Sequence, residues 1–146
     1  MTEGVADAHN RATGRHVTLY RRWADGGAAI LLTGNVQVDR RYLERAGNIV
    51  IDGAQDPSQL SALEAMAEAG TANDTQLWMQ ISHAGRQTPK LIATEPVGPS
   101  DIALALPGGR FGKPRALTGA EIRDVIARFA FTAGVAKQAG FSGVQV

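Results

Sequence analysis

"TGAEIRDVIARFAFTAGVAKQAGFSGVQV", residues 118–146, holds a helix start, a helix stop and a strand in one run. Thr118 and Glu121 form a capping box, in which the hydroxyl and the carboxylate each satisfy a backbone donor of the first turn. Ile122, Val125, Ile126, Phe129 and Ala133 carry an apolar stripe at helical spacing, and Gly140 ends it. "FSGVQV" then reads as a strand that reaches the last residue, Val146.

The same alternation runs back through the chain. "TQLWMQIS", 75–82, is an apolar strand containing Trp78 and Ile81. The helix before it opens at Asp56-Pro57, an N-cap followed by proline at the first helical position. Leu60, Leu63, Met66 and Ala67 form its inner stripe and Gly70 closes it. "AAILLTGNVQV", 28–38, starts as a continuous apolar run, as a strand buried on both faces does. A first helix is expected over 13–27, with Val17, Leu19, Tyr20 and Trp23 at helical spacing, Thr13 as cap and Gly26-Gly27 as terminator. Helix and strand alternating three times predict an α/β fold with a parallel sheet and right-handed crossovers.

Composition bounds the function. The chain has 146 residues, 44% hydrophobic and 20% charged, with a net charge of +1, as expected of a globular domain. So small a charge supplies no field for nucleic acid or anionic lipid. The pairs Arg21-Arg22 and Arg40-Arg41 read as solvated faces. There is no cysteine, hence no disulfide, thiolate nucleophile or CxxC metal site. His9, His16 and His83 lack ligand spacing, so no metal is expected. No apolar run is long enough to span a membrane and no signal-peptide pattern is visible, so the expected compartment is the cytoplasm.

Residues 83–117, with most of the prolines, are too long for an ordinary strand-to-helix connection. Leaving the C-terminal end of a strand, they occupy the place where parallel α/β folds bind ligands. "GGRFGK", 108–113, mimics a phosphate loop, but no strand precedes it and Pro114 stands where a hydroxyl residue would open a helix. No GxSxG is present, and Glu64 and Glu68 lie one turn apart on a solvated face, so nothing points to a hydrolase. Gly34, Asn35 and Gln80 interrupt apolar strands. A buried amide costs a few kcal/mol if unpaired, which leaves two readings of Gln80: a core hydrogen bond, or a flat heterocycle with its own donor and acceptor edge. His83 and Arg86 follow that strand, the histidine reading as structural and the arginine as an anion or acid partner.

Four segments together resemble one family. "WMQISHAGRQTP" is similar to the third-strand signature of the Old Yellow Enzyme family of flavin-dependent oxidoreductases. "PRALTGAEIRDVIARFAFTAGVAKQAGFSGVQV" resembles the helix and strand that follow it, "AILLTGNVQVDRRYLE" the second strand and its loop, and "MTEG" the loop after the first strand. The resemblance implies an FMN-binding TIM (β/α)8 barrel in which NADH or NADPH reduces the flavin. The flavin then passes hydride to an activated alkene or similar electron-poor acceptor. It also implies cofactor-binding roles for three residues. Thr2 matches the hydroxyl near flavin O4, and Gln80 matches the glutamine on the pyrimidine edge. Asn35 falls where a small residue usually touches the isoalloxazine, so its amide departs from the pattern. His83 and Arg86 are expected to support the loop and the cofactor pocket.

A full barrel has eight strands and about 250 residues. This chain is therefore expected to be a partial barrel, roughly strands 2 to 4 with their helices, incomplete at both ends, with 83–117 as the loop after the third strand. Met1 would be an internal methionine of the parent. The family's His-x-Ala-His substrate-binding stretch would begin just after Val146, so no catalytic residue is expected within 1–146, and the chain alone should be inactive. The alternative is a non-catalytic module that self-assembles or binds a partner chain through exposed strand edges.

Overall fold

The computed structural model describes residues 2–146; Met1, and with it the start of "MTEG", lies outside them. Three helices, α1 (Gly14–Asp25), α2 (Pro57–Gly70) and α3 (Gly119–Gln138), alternate with strands β1 (Ile30–Leu32), β2 (Val36–Gln37), β3 (Ile49–Val50), β4 (Gln76–Ser82) and β7 (Gly143–Gln145). These strands form one sheet, in which β4 lies between β7 and the β1/β2 line and β3 flanks β2. Every pairing in it is parallel, as the alternation predicted.

Local chemistry sets the helix ends. Asp56 accepts from the Gln59 backbone while the Gln59 side chain returns to the Asp56 backbone, a capping box with Pro57 in the first turn. Thr118 and Glu121 do the same for α3. At α1 the reciprocal partner of Thr13 is His16, whose Nδ1 accepts from the Thr13 backbone at 3.0 Å. Burial holds that imidazole below its ordinary pKa, which keeps it neutral and able to accept.

β1 and β2 are one strand interrupted. Leu32 pairs with Trp78 and Val36 with Ile81, so four steps on one side oppose three on the other. The extra residue makes a bulge at Thr33–Asn35. The Gln80 backbone N–H, which would otherwise lack a ladder partner, donates to the Thr33 hydroxyl at 3.0 Å.

The core lies on one face only. Leu77, Met79 and Ile81 of β4 join Val36, Val38, Ile49 and Ile51 against Leu63 and Met66 of α2 and Val135 and Ala136 of α3. The expectation of strands buried on both faces is corrected here. Gln76, Trp78 and Gln80 alternate to the opposite, concave face, where Trp78 is 40% and Ile30 64% exposed. Trp78 and Met79 are both apolar, so the alternation is invisible to hydropathy although the geometry is strict. Two helix stripes are corrected as well. In α1 the buried residues are His16, Tyr20 and Ala24, one turn apart, while Trp23 lies at the margin with its ring edge-on to Tyr20. In α3, Ile122 and Ile126 are exposed, and burial falls on Thr132, Val135 and Ala136, where the helix crosses the sheet.

The excursion after β4 carries short elements of its own. A 3-10 turn over Gly85–Gln87 leads to a short parallel pair, β5 (Val97–Gly98) with β6 (Arg115–Ala116). Arg115 ties its far end to α3 through two hydrogen bonds to Glu121, at 2.8 and 3.0 Å. Arg115, followed by the Thr118 backbone and hydroxyl, holds the Glu121 carboxyl at about 2. A carboxyl so depressed contributes stability that is fully present above its ordinary value of 4.5 and lost as pH falls through about 2. Protection of amides 115–122 against hydrogen exchange, taken relative to the intrinsic rate at each pH, should therefore fall on acidification across that window. Glu121→Gln, which retains a capping group but not the ion pair, should release Arg115 at neutral pH while α3 stays folded. Protection that does not change with pH would refute the tether.

Candidate functional site

The polar residues of the sheet gather at the C-terminal ends of its strands, in two groups. The first is built around Glu44, in the loop after β2. The Thr2 hydroxyl donates to its carboxylate at 2.7 Å, and the amides of Asn48 and Asn35 stand beside it. Burial pushes the Glu44 carboxyl up, but Thr2, Asn48, Arg45 and Asn35 together hold it below the ordinary glutamate value, so it is ionised at neutral pH. Asn48, almost wholly buried, knits the loop. Its oxygen accepts from the Arg45 backbone at 2.9 Å and its amide donates to the Asn35 carbonyl at 3.2 Å. Glu3 accepts from the Gly34 backbone at 2.9 Å and from the Tyr20 hydroxyl, which fixes the chain start against the bulge and α1.

Two of the three predicted cofactor residues, Thr2 and Asn35, thus meet through Glu44 and Asn48. Neither of those two was singled out in the sequence. The Thr2 hydrogen is committed to Glu44 and one lone pair to the Asn48 amide at 3.4 Å, so toward any ligand this hydroxyl presents its remaining lone pair.

Gln80 stands apart from that cluster, on the concave face of β4. Its amide nitrogen donates to Gln145 of β7 at 2.8 Å, while its oxygen is buried without a partner. An exposed cross-strand hydrogen bond therefore uses the amide nitrogen and leaves the acceptor open. Gln37, level with Ser82 and facing away from the core that holds Val36 and Val38, is fully buried with neither amide atom partnered. Gln80 thus holds a buried, unmet acceptor two residues along β4 from Trp78 and its register partner Leu32, and Gln37 holds a buried, unmet amide further along the sheet. A planar heterocycle with N–H and C=O groups along one edge fits that donor set, which is the chemistry of the flavin pyrimidine ring.

His83 and Arg86 lie outside the concave face. Burial lowers the His83 pKa, outweighing nearby Asp39, so the ring is neutral. Its Nδ1 accepts from the Gly85 backbone at 3.0 Å, which places the ring hydrogen on Nε2. It lines a cavity of about 270 Å³ with Asp39, Arg41, Arg115 and Glu121, behind the strand ends. Asp39 is buried there under Arg41 at 2.6 Å. Arg86 reaches the Ile102 carbonyl at 3.4 Å, inside the excursion. Both side chains brace the loop. No cluster of metal-ligating side chains occurs among the described residues, and no helix there is long and apolar enough to cross a membrane.

Comparison with known proteins gives this geometry its setting. The sequence pattern of the NADH:flavin oxidoreductase / NADH oxidase family matches residues 1–146. An NADH-dependent flavin oxidoreductase of Hypocrea jecorina is 35% identical over 161 residues, covering all of this chain and 40% of that protein. The NADH oxidase of Thermoanaerobacter brockii is 31% identical, again over the whole chain, and 22% of its own length is covered. The chain thus spans less than half the length of these relatives. In three dimensions, the old yellow enzyme homologue of Zymomonas mobilis superposes with a TM-score of 0.82 at 23% identity, over 99% of this chain and 41% of the other. The sheet and its helices therefore have the fold of part of a (β/α)8 barrel, and the chain belongs to the NADH:flavin oxidoreductase / NADH oxidase family.

Proposed function

We propose that this chain supplies the flavin-binding wall of a cytoplasmic oxidoreductase that moves hydride from NADH or NADPH through FMN to a small activated alkene or similar electron-poor acceptor. The observation that carries the reading is the unpartnered Gln80 oxygen on the concave face; by the resemblance, Gln80 matches the family's pyrimidine-binding glutamine. When bound, FMN supplies the hydride chemistry. The chain's own residues bind and orient. Gln80 meets the pyrimidine edge, and Trp78 and Leu32 provide a flat apolar bed. Ionised Glu44 accepts from Thr2, stands beside the Asn35 amide and sets a negative charge next to both. Protonation of the acceptor and stabilisation of its developing charge are the remaining steps of such a transfer. Those steps fall to the remainder of a family barrel, with residues 83–117 forming the loop over the third strand.

The test follows from that division. The isolated chain should purify without stoichiometric flavin and without NAD(P)H-dependent reduction of an enone such as cyclohexenone. Joined in frame to the remaining barrel of the Hypocrea jecorina relative, it should regain a flavin spectrum. A yellow, active isolated chain would refute the partial-wall reading, and a joined protein that folds without flavin would refute the flavin reading. The exposed apolar concave face favours one further possibility, pairing of chains through free strand edges. Sedimentation distinguishes it: a discrete soluble oligomer supports pairing, and a monomer excludes it.

A further inference from the structure

A second concavity lies away from the sheet face. It is a groove of about 700 Å³ between the loop after β2 and the two arms of the excursion. An antiparallel bridge pairs Pro89 with Phe111, and the Lys90 N–H donates to the Arg110 carbonyl at 3.0 Å, which sets Lys90 and Arg110 side by side. Gly108 and Gly109, at φ +87 and +58, make the reversal that brings the second arm back. A Cβ at either glycine would meet nothing within 4 Å, so the rim there is open. Arg45 approaches from the opposite wall.

The lining has three cations and no carboxylate. Arg45 has one ion-pair partner, its neighbour Glu44 at 3.5 Å. Lys90 and Arg110 have none among the described residues, and Arg110 stacks over Phe111 at 5.8 Å. Between the cations the surface is apolar: Ile92, Pro89 and Leu91, the last of them 100% exposed. A fully exposed leucine among cations that repel one another loses on both counts in water. A ligand with an apolar body and an anionic end relieves both.

We propose that this groove binds a small amphipathic anion, an apolar body carrying a phosphate or carboxylate. Such a ligand would be anchored beside the strand ends by its non-reacting end. Binding energy of that kind orients a distant reacting group. Anion binding by this groove stands apart from the flavin reading; only the assignment of the ligand to reductant or acceptor rests on the proposed function.

The test is an amide NMR titration of the chain with octyl phosphate, octanoate, inorganic phosphate and octyl glucoside. The two amphipathic anions should shift Lys90, Leu91, Gly109 and Arg110 with Kd about 0.1–1 mM. Inorganic phosphate and the neutral glucoside should bind at least about ten-fold more weakly. Lys90→Glu with Arg110→Glu should weaken octyl phosphate about ten-fold at unchanged melting temperature, since both side chains are exposed. Should that variant melt early, Lys90→Gln with Arg110→Gln repeats the test without charge reversal. Equal binding of the glucoside, unchanged affinity in the variants, or shifts confined to Trp78 on the concave face would each overturn the proposal. Displacement of octyl phosphate by NADH supports the groove and assigns its anion to the reductant's phosphates. Binding without displacement supports it with the anion belonging to the acceptor.

Discussion

Gly47→Ala should destabilise the chain by about 3 kcal/mol, within the range of backbone strain combined with a steric shift. Gly47 sits at φ +83, where an L side chain is strained. A Cβ there would lie 2.6 Å from the Gly4 carbonyl oxygen and 2.8 Å from its carbon, both of them backbone, so no rotamer relieves the clash. The same strand of contacts holds the Ala6 N–H to the Gly47 carbonyl at 3.1 Å. Pushing 4–6 away from 46–48 pulls Thr2 off Glu44 and opens the Asn48 network, so the loss is both of stability and of the site. Urea unfolding measures the first. Loss of the Thr2 hydroxyl bond, seen as a rise of the Glu44 pKa toward its ordinary 4.5, reports the second. Gly14→Ala is the control: its Cβ meets nothing within 4 Å, and alanine in the first helical turn is neutral or mildly favourable. Equal stabilities for the two variants would show that the Gly4–Gly47 approach is not a constraint in solution.

The parts of this structure legible in the sequence are those with local causes. Thr118 with Glu121 marks one helix start through hydrogen bonds three residues apart, Asp56 followed by Pro57 marks another as a cap and a fixed first-turn φ, and alternating helices and strands gave the parallel sheet. Gln80 was visible because an amide inside an apolar run demands a partner. The bulge at Thr33–Asn35 was not, since an extra residue within "ILLTGNVQV" shows only when β4 is laid beside it. Glu44 and Asn48 were hidden for a related reason. They reach Thr2 across 42 and 46 residues from a polar loop with no periodicity to flag them. Ile122 and Ile126 misled in the other direction, because hydropathy reports what a residue would bury and not whether the fold covers it. The resemblance singled out Thr2, which composition and spacing did not, yet it was silent on the carboxylate that stands beside Thr2 and Asn35.

Gln80→Leu should move stability and flavin binding in opposite directions, a combination that a purely structural glutamine cannot produce. Without ligand, the Gln80 oxygen is buried and unpaired, and the amide's one bond, to Gln145, is exposed. Replacing it with leucine removes an unmet acceptor and adds apolar surface next to Trp78, so the melting temperature of the isolated chain should hold or rise; the gain is at most about 1 kcal/mol. In the protein joined to the rest of a barrel, the same change removes the hydrogen bonds offered to the pyrimidine edge. Bonds of this type, made in a dry site and left unreplaced, are worth about 1.5–3 kcal/mol, or roughly ten- to hundred-fold in flavin affinity. Flavin fluorescence titration of the joined protein and thermal melts of the isolated chain read the two effects separately. Leucine that lowers both would make Gln80 a packing residue whose amide finds its partner inside the protein. Leucine that changes neither would place the flavin edge elsewhere on the concave face, where Gln37 is the other amide left without a partner.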